Sequence, residues 1–167
     1  KERRKRMKTV KRLLNFIFLI CLCCTTLIAN AAGEELGMIV DGSRLTDQSE
    51  VSVDTRSGAR GTYLSYGTAT LSKQSAHVLN VWGSTTCYKT SDQVKVTLHL
   101  QKLVGGTWTT VTTLDTKTAY NTNYVSNSKN VTVTGGYYYR IFGSHVAVKG
   151  KVTESTSSAT DGMWVSK

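Results

Sequence analysis

Cys87 is the first candidate for chemistry in this chain. It is the one cysteine outside the N-terminal apolar run, so a thiolate-dependent hydrolase or transpeptidase would have to use this residue. A thiolate nucleophile needs a base or cation that lowers its pKa and a donor that holds the oxyanion. His77 is ten residues upstream on the same predicted strand, and the next arginine is Arg140. We therefore expect no catalytic residue and a buried thiol, and a Cys87 enzyme is the least favoured alternative.

The three histidines are His77, His99 and His145, and they could bind a metal ion only if they converged. Side chains on a strand alternate between two faces. His99 belongs to the outward phase of its predicted strand, whereas His145 shares the inward phase of Tyr137 and Tyr139. Opposite faces cannot ligate one ion, and no cluster of Asp and Glu suggests calcium. We expect no metal and no cofactor.

A surface is the better candidate for binding. His99 has the outward phase of one predicted strand, and Tyr138, Arg140 and Phe142 share the outward phase of another. Aromatic faces beside hydrogen-bonding and cationic groups can stack on sugar rings or receive a peptide. Trp108 is a further ligand-binding candidate. The alternatives are a solvated sheet face held by cross-strand pairs and, for Trp108, packing in the core or against a hairpin.

Alternating apolar residues place these side chains on strands. The plainest alternation covers 94–100, where valine and leucine at even positions face inward. Two further runs within 131–148 meet at Gly135-Gly136, because glycine can adopt the positive φ that a corner requires. The other predicted strands are 62–72, 77–88, 107–114 and 152–159, and a polar connection holds Tyr120 and Tyr124. The pattern predicts an all-β chain of about seven antiparallel strands.

The N-terminal 31 residues are interpreted as a helical signal peptide. Residues 1–8 are strongly basic, 13–28 are apolar, and Ala29-Asn30-Ala31 fits a signal-peptidase site. The start could lie in the Lys1 region or at Met7, and cleavage is undecided because an uncleaved anchor is the alternative.

Composition divides the remaining chain into two parts. Residues 32–60 are acidic and polar and are predicted to be a flexible lead-in, whereas 61–167 are predicted to form the folded domain. The net charge of +10 is concentrated in residues 1–31, which carry eight basic residues and one acidic residue, or +7. Only +3 remains, so we expect no nucleic-acid partner, and a membrane contact only through the signal segment.

The strand count and the tyrosine after the Gly-Gly corner resemble an immunoglobulin-like or fibronectin-like β-sandwich, in which a corner tyrosine ties the loop by its hydroxyl. The resemblance makes Tyr137 the corner residue and directs Tyr139, Ile141 and Gly143 inward. It also implies that the strand with His99 lies beside the strand with Tyr138, Arg140 and Phe142. The absence of proline departs from fibronectin modules.

Five short motifs resemble a family of small exported proteins of Gram-positive bacteria, known as a domain of unknown function. The motifs are RGTYL, GSTTCY, VGGTW, TGGYYYR and TDGMW, and the resemblance covers residues 38–165. It implies no activity.

The sequence therefore predicts a secreted or envelope-associated, non-catalytic β-sandwich with a binding or structural role. Its ligand would be a cell-wall polymer, a glycan or a protein. A carbohydrate-binding module is the alternative, and the oligomeric state stays open.

Overall fold

The computed structural model describes residues 35–56 and 61–167, so the predicted signal peptide lies outside the described residues. No helix occurs in the described ranges, and accordingly none there is long and apolar enough to cross a membrane. The strands in chain order are β1 (Ile39–Val40), β2 (Ser43–Thr46), β3 (Glu50–Asp54), β4 (Leu64–Ser75), β5 (Val78–Val104), β6 (Thr107–Thr113), β7 (Lys117–Thr132), β8 (Tyr137–Lys149), β9 (Val152–Ala159) and β10 (Gly162–Val165).

The predicted all-β class is confirmed, and the burial pattern follows the period of two. Val94, Val96, Leu98 and Leu100 are fully buried, while the residues between them are partly exposed. Alternation of this kind directs one phase of each strand into the core and leaves the other phase for solvent or a partner.

The strand β5 is the centre of the sheet. The two strands predicted at 77–88 and 94–100 are one 27-residue strand that is interrupted by an irregularity between Thr86 and Ser91. Its first part pairs with β4 and β7, and its second part pairs with β8, β6 and the start of β7. Bulges bend a strand and increase its twist, which allows one strand to serve both halves of a curled sheet.

The sheet curls until β4 packs against β8, a strand to which it is not paired. A Cβ at Gly67 of β4 would overlap the imidazole ring of His145 of β8. The expectation of a purely antiparallel sheet is wrong, because β10 pairs in parallel with β2. The sheet is mixed, and most of its pairs are antiparallel.

The prediction of a flexible lead-in is wrong for residues 39–54, which form β1, β2 and β3. Leu45 is 1% exposed and Val51 is 5% exposed, so both are core residues. β2 pairs with β10, and β3 pairs with β4. These partners supply the burial that the short apolar runs of the segment do not show on their own, and they raise the strand count above seven.

The predicted polar connection after 114 is also a strand, β7, which pairs with β5. The sequence of β7 is polar because most of its side chains are exposed, and within this strand only Val125 and Asn127 are buried. Two predicted turns are confirmed. Gly105 and Gly106 have positive φ in the turn between β5 and β6. Gly150 has positive φ in the turn between β8 and β9.

The corner before β8 uses a different tyrosine from the one expected. The Tyr139 hydroxyl donates to the Thr134 carbonyl oxygen at 2.7 Å, so Tyr139, rather than Tyr137, ties the corner. Tyr139 has the inward phase and is 1% exposed, which places its ring in the core and its hydroxyl below the turn. Ile141 and Gly143 also face inward, as predicted.

Candidate functional site

The predicted neighbours on β5 and β8 are paired in the structure. His99 lies opposite Phe142, and Gln101 lies opposite Arg140. The His99 and Phe142 ring centroids are 6.2 Å apart, and both side chains are partly exposed. His99 Nδ1 is also 2.8 Å from Thr113 Oγ1. This pair is the accessible part of the face predicted from sequence.

Arg140 is 4% exposed, so the expectation that it faces solvent is wrong. Its Nε donates to Gln101 Oε1 at 2.8 Å. Its Nη1 donates to the Asp41 carbonyl oxygen and to Ser43 Oγ, each at 2.9 Å, and Nη2 donates to Asp41 Oδ2 at 2.8 Å. The guanidinium lies 4.6 Å from the centroid of the Trp108 ring. Arg140 therefore attaches the β1–β2 hairpin to the sheet.

Trp108 takes part in the same attachment. Its Nε1 donates to the Val40 carbonyl oxygen at 3.0 Å. Its ring covers Gly162, where a Cβ would come within 2.8 Å of Trp108 Cη2. The contacts of Trp108 are therefore packing contacts, which was the alternative to ligand binding for this residue.

Tyr138 is 2% exposed and is not the outward aromatic that was expected. Its ring centroid is 4.9 Å from that of Trp164, on the neighbouring strand β10. Burial raises the pKa of Tyr138, and the carboxylates of Glu35 and Asp47 raise it further because a phenolate would meet their negative charge. Ligand binding by the five residues His99, Tyr138, Arg140, Phe142 and Trp108 stays a prediction.

Cys87 is buried at 4% exposure. Burial raises the pKa of its thiol, and a hydrogen bond with Ser91 offsets only part of this effect. Nucleophilic cysteines need the opposite shift together with solvent access. The surroundings of Cys87 thus give no support to the enzyme alternative.

His145 is fully buried, in the inward phase that was predicted. Its Nδ1 is 3.0 Å from Thr85 Oγ1, and its Nε2 is 2.8 Å from Ser158 Oγ. Burial lowers its pKa to about 4, so the ring is neutral at neutral pH. Thr85, His145 and Ser158 form a satisfied polar network inside the core, with no opening to solvent for a substrate. Within the described ranges, no group of three or more His, Cys, Asp or Glu residues could hold a metal.

A different surface carries many hydroxyl side chains together with aromatic ones, and it is a candidate binding site. Outward side chains of β3, β4, the first part of β5, and β7 form rows across four strands, since directly opposite residues share a face. One row runs Ser52, Thr70, Trp82, Ser128, and another runs Tyr66, Thr86, Tyr124. We call this surface the hydroxyl face, and its members are Ser52, Tyr66, Thr68, Thr70, Trp82, Thr86, Tyr124, Ser126 and Ser128.

The aromatic residues of the hydroxyl face lie at two separate places. Trp82 is partly exposed between Thr70 and Ser128, and Tyr124 is 46% exposed. Trp82 and the row of Tyr124 are four residues apart along β5, which corresponds to roughly 13 Å. An elongated ligand could contact both places, whereas one small ring could not.

Side-chain contacts hold this surface in a defined shape. Ser52 Oγ lies 2.8 Å from Thr70 Oγ1. At the end of the face, Asn80 Nδ2 donates to Asn130 Oδ1 at 2.8 Å and to Ser128 Oγ at 3.1 Å. The Arg56 guanidinium lies 4.3 Å from the centroid of Tyr66, whose pKa is lowered by hydrogen bonds, first from Thr86 and then from Arg56.

Sequence reasoning missed the hydroxyl face because it searched for apolar alternation. The sequence signal for this face is the recurrence of hydroxyl residues at the outward positions of the strands. Hydroxyl side chains recur at every second position in 68–72 and in 126–128, beside the buried Ala69, Leu71 and Asn127.

No curated protein matches this chain. A family model described as a family of unknown function (DUF6147) matches residues 31–163. The match spans most of the sequence and nearly all of the described strands, so this chain belongs to the family of unknown function DUF6147.

Proposed function

We propose that this protein is an exported, non-catalytic module that binds a glycan chain on the hydroxyl face. The location is the cell envelope or the extracellular space of a Gram-positive bacterium. Support for export comes from the basic start, the apolar run 13–28 and the Ala29-Asn30-Ala31 sequence.

The observation that carries this proposal is the combination of hydroxyl side chains with aromatic ones across four adjacent strands. Sugar rings present hydroxyl groups at their edges and C–H groups on their faces. Ser and Thr hydroxyls can both donate to and accept from the edges, and aromatic rings such as those of Trp82 and Tyr124 can stack on the faces. Strand pairing fixes the positions of these rows before a ligand binds, so binding costs little conformational entropy.

The buried chemistry of the molecule supports a role without catalysis. Cys87 and His145 offer a thiol and an imidazole, and both are buried. Neither contributes to the hydroxyl face.

We further propose that the curled sheet is a variant of the immunoglobulin-like sandwich. Support comes from the packing of β4 on β8 and from the corner hydrogen bond of Tyr139. The parallel contact of β2 with β10 is the departure from that pattern.

Retention of the purified full chain by soluble and insoluble glycans, with peptidoglycan and teichoic acid included, tests the proposal. We expect at least one polymer to be bound, and the Trp82→Ser and Tyr124→Ser variants to bind it about tenfold more weakly. Phe142→Ser is the control, since it removes an aromatic side chain from the face predicted from sequence. Variants of the hydroxyl face that bind as well as the wild type would overturn the proposal, and so would the absence of any binding.

A further inference from the structure

A pocket of about 270 Å³ lies where the β1–β2 hairpin meets the β5–β6 turn and the strands β8 and β10. Pockets for drug-sized ligands measure roughly 300–1,000 Å³, so a small group fits here. The pocket shares no residue with the hydroxyl face, and an inference about it does not rest on the proposed function.

Three aromatic residues line this pocket: Tyr137, Tyr138 and Trp164. The Tyr138 and Trp164 rings meet at a centroid distance of 4.9 Å and an angle of 56°. Lys102 Nζ already lies 4.2 Å from the centroid of the Tyr137 ring. A cation is therefore already held on one aromatic ring of this cluster.

Three glycines bring backbone to the wall of the pocket and leave room beside the rings. They are Gly105, Gly106 and Gly136, each at positive φ. Met38 and Leu103 complete an apolar lining.

The wall of the pocket holds one carboxylate, and two lysine side chains lie next to lining residues: Lys102 over the Tyr137 ring and Lys167 over Gly136. Among the described residues that line it, Glu35 is the one with a charged side chain. Asp47 acts from the same direction, because the carboxylates of Glu35 and Asp47 both raise the pKa of the Tyr138 phenol. Glu35 is therefore the group on the wall of the pocket that a positively charged ligand could face.

We infer that this pocket binds a small organic cation, with a quaternary ammonium group seated against the accessible rings of Tyr137 and Trp164 and facing the Glu35 carboxylate. Aromatic rings attract such cations through their negative faces, and a quaternary ammonium is weakly hydrated, so it enters an apolar pocket at low cost.

Calorimetric titration of the full chain with choline and with 3,3-dimethylbutan-1-ol tests this inference. The alcohol has the shape of choline with carbon in place of the charged nitrogen. We expect choline to bind and the alcohol to bind at least about tenfold more weakly. No choline binding, or equal binding of the two compounds, would overturn the inference.

Variants separate the charge from the shape of the site. Glu35→Gln should weaken choline binding by about tenfold while thermal unfolding is unchanged, and wild-type affinity in this variant would contradict the inference. Trp164→Leu should lose binding, but it can also affect folding, so Glu35→Gln carries the test. Lys102→Gln should leave the affinity for choline equal or higher, because it removes a competing cation, and weaker choline binding would contradict the inference. Trp82→Ser should bind choline normally, so failure of this inference is distinguishable from failure of the glycan proposal.

Discussion

The imidazole ring of His145 occupies the space that a side chain at position 67 would need. Gly67 is on β4 and His145 is on β8, and the two strands are not paired. The contact therefore joins the two halves of the curled sheet at a point where only glycine fits. Hydrogen bonds of the ring to Thr85 and Ser158 prevent it from turning aside.

Replacement of Gly67 by alanine should destabilise the protein by about 3 kcal/mol, because overpacking of a closed core forces neighbouring groups to move. Urea denaturation followed by far-ultraviolet circular dichroism measures the change. Thr68→Ala, at the adjacent outward position, should change the free energy of unfolding by less than about 1 kcal/mol. Equal stability of Gly67→Ala and the wild type would show that the sheet halves are not closely packed here.

Stability should fall between pH 7 and pH 5 because of His145. Its pKa is about 4 in the folded protein and near 6.5 in the unfolded chain, so in this interval the unfolded chain binds more protons. The stabilisation is fully present above pH 6.5 and is lost as the pH falls toward 4, by about 2 kcal/mol between pH 7 and pH 5. Urea titrations at both pH values measure it.

His145→Gln should remove most of this pH dependence, whereas His99→Gln should retain it. Asp92 and Glu154 also have lowered pKa values, but they lose their stabilising effect below their ordinary pKa values, outside the interval measured. A wild-type protein with the same stability at pH 7 and pH 5 would contradict the buried, neutral state of His145.

Replacement of Arg140 by methionine should release the β1–β2 hairpin. The variant loses the hydrogen bonds to Asp41, Ser43 and Gln101, at a cost of about 2 kcal/mol. The cost stays moderate because Asp41 is exposed and can be solvated when its partner is removed. Hydrogen exchange should accelerate at the Leu45 amide, which donates to Met38 within the hairpin. Arg44→Met removes an exposed arginine from the same hairpin and should leave exchange unchanged, and equal rates in the two variants would contradict the attachment.

Cys87 should react slowly with a thiol reagent such as 5,5′-dithiobis(2-nitrobenzoate) in the native protein and rapidly in urea. A buried thiol with a raised pKa is neither accessible nor deprotonated at neutral pH. Absorbance at neutral pH follows the release of the coloured product. Rapid reaction without denaturant would restore the nucleophile interpretation of this residue.

The predictable parts of the fold are those in which the alternation of buried and exposed residues is visible within one short stretch of sequence. Apolar and polar residues alternate without interruption from Val94 to Leu100, and the Gly105-Gly106 turn follows. The strand, its inward positions and the hairpin could therefore all be predicted. The placement of the strand with His99 beside the strand with Phe142 also followed from the expected strand order, whereas the register that pairs the two residues did not.

The parts that were missed depend on partners far along the chain. Leu45 is buried where β2 meets β10, and Arg140 is covered because Asp41, 99 positions earlier, returns to it. A strand of two to five residues has no period long enough to detect. The hydroxyl face was missed for a related reason, since Trp82 and Tyr124 lie on one surface only through the pairing of β5 with β7.

Mapping the glycan contact by amide chemical shifts tests the central proposal most directly. The full chain, labelled with ¹⁵N, would be titrated with the polymer fragment that it retains most strongly. The account predicts shift changes at Thr70, Trp82, Thr86, Ser126 and Ser128, with the Trp82 indole N–H among the largest. Changes centred on His99 and Phe142, or no change on β4, β5 and β7 at saturating glycan, would contradict it.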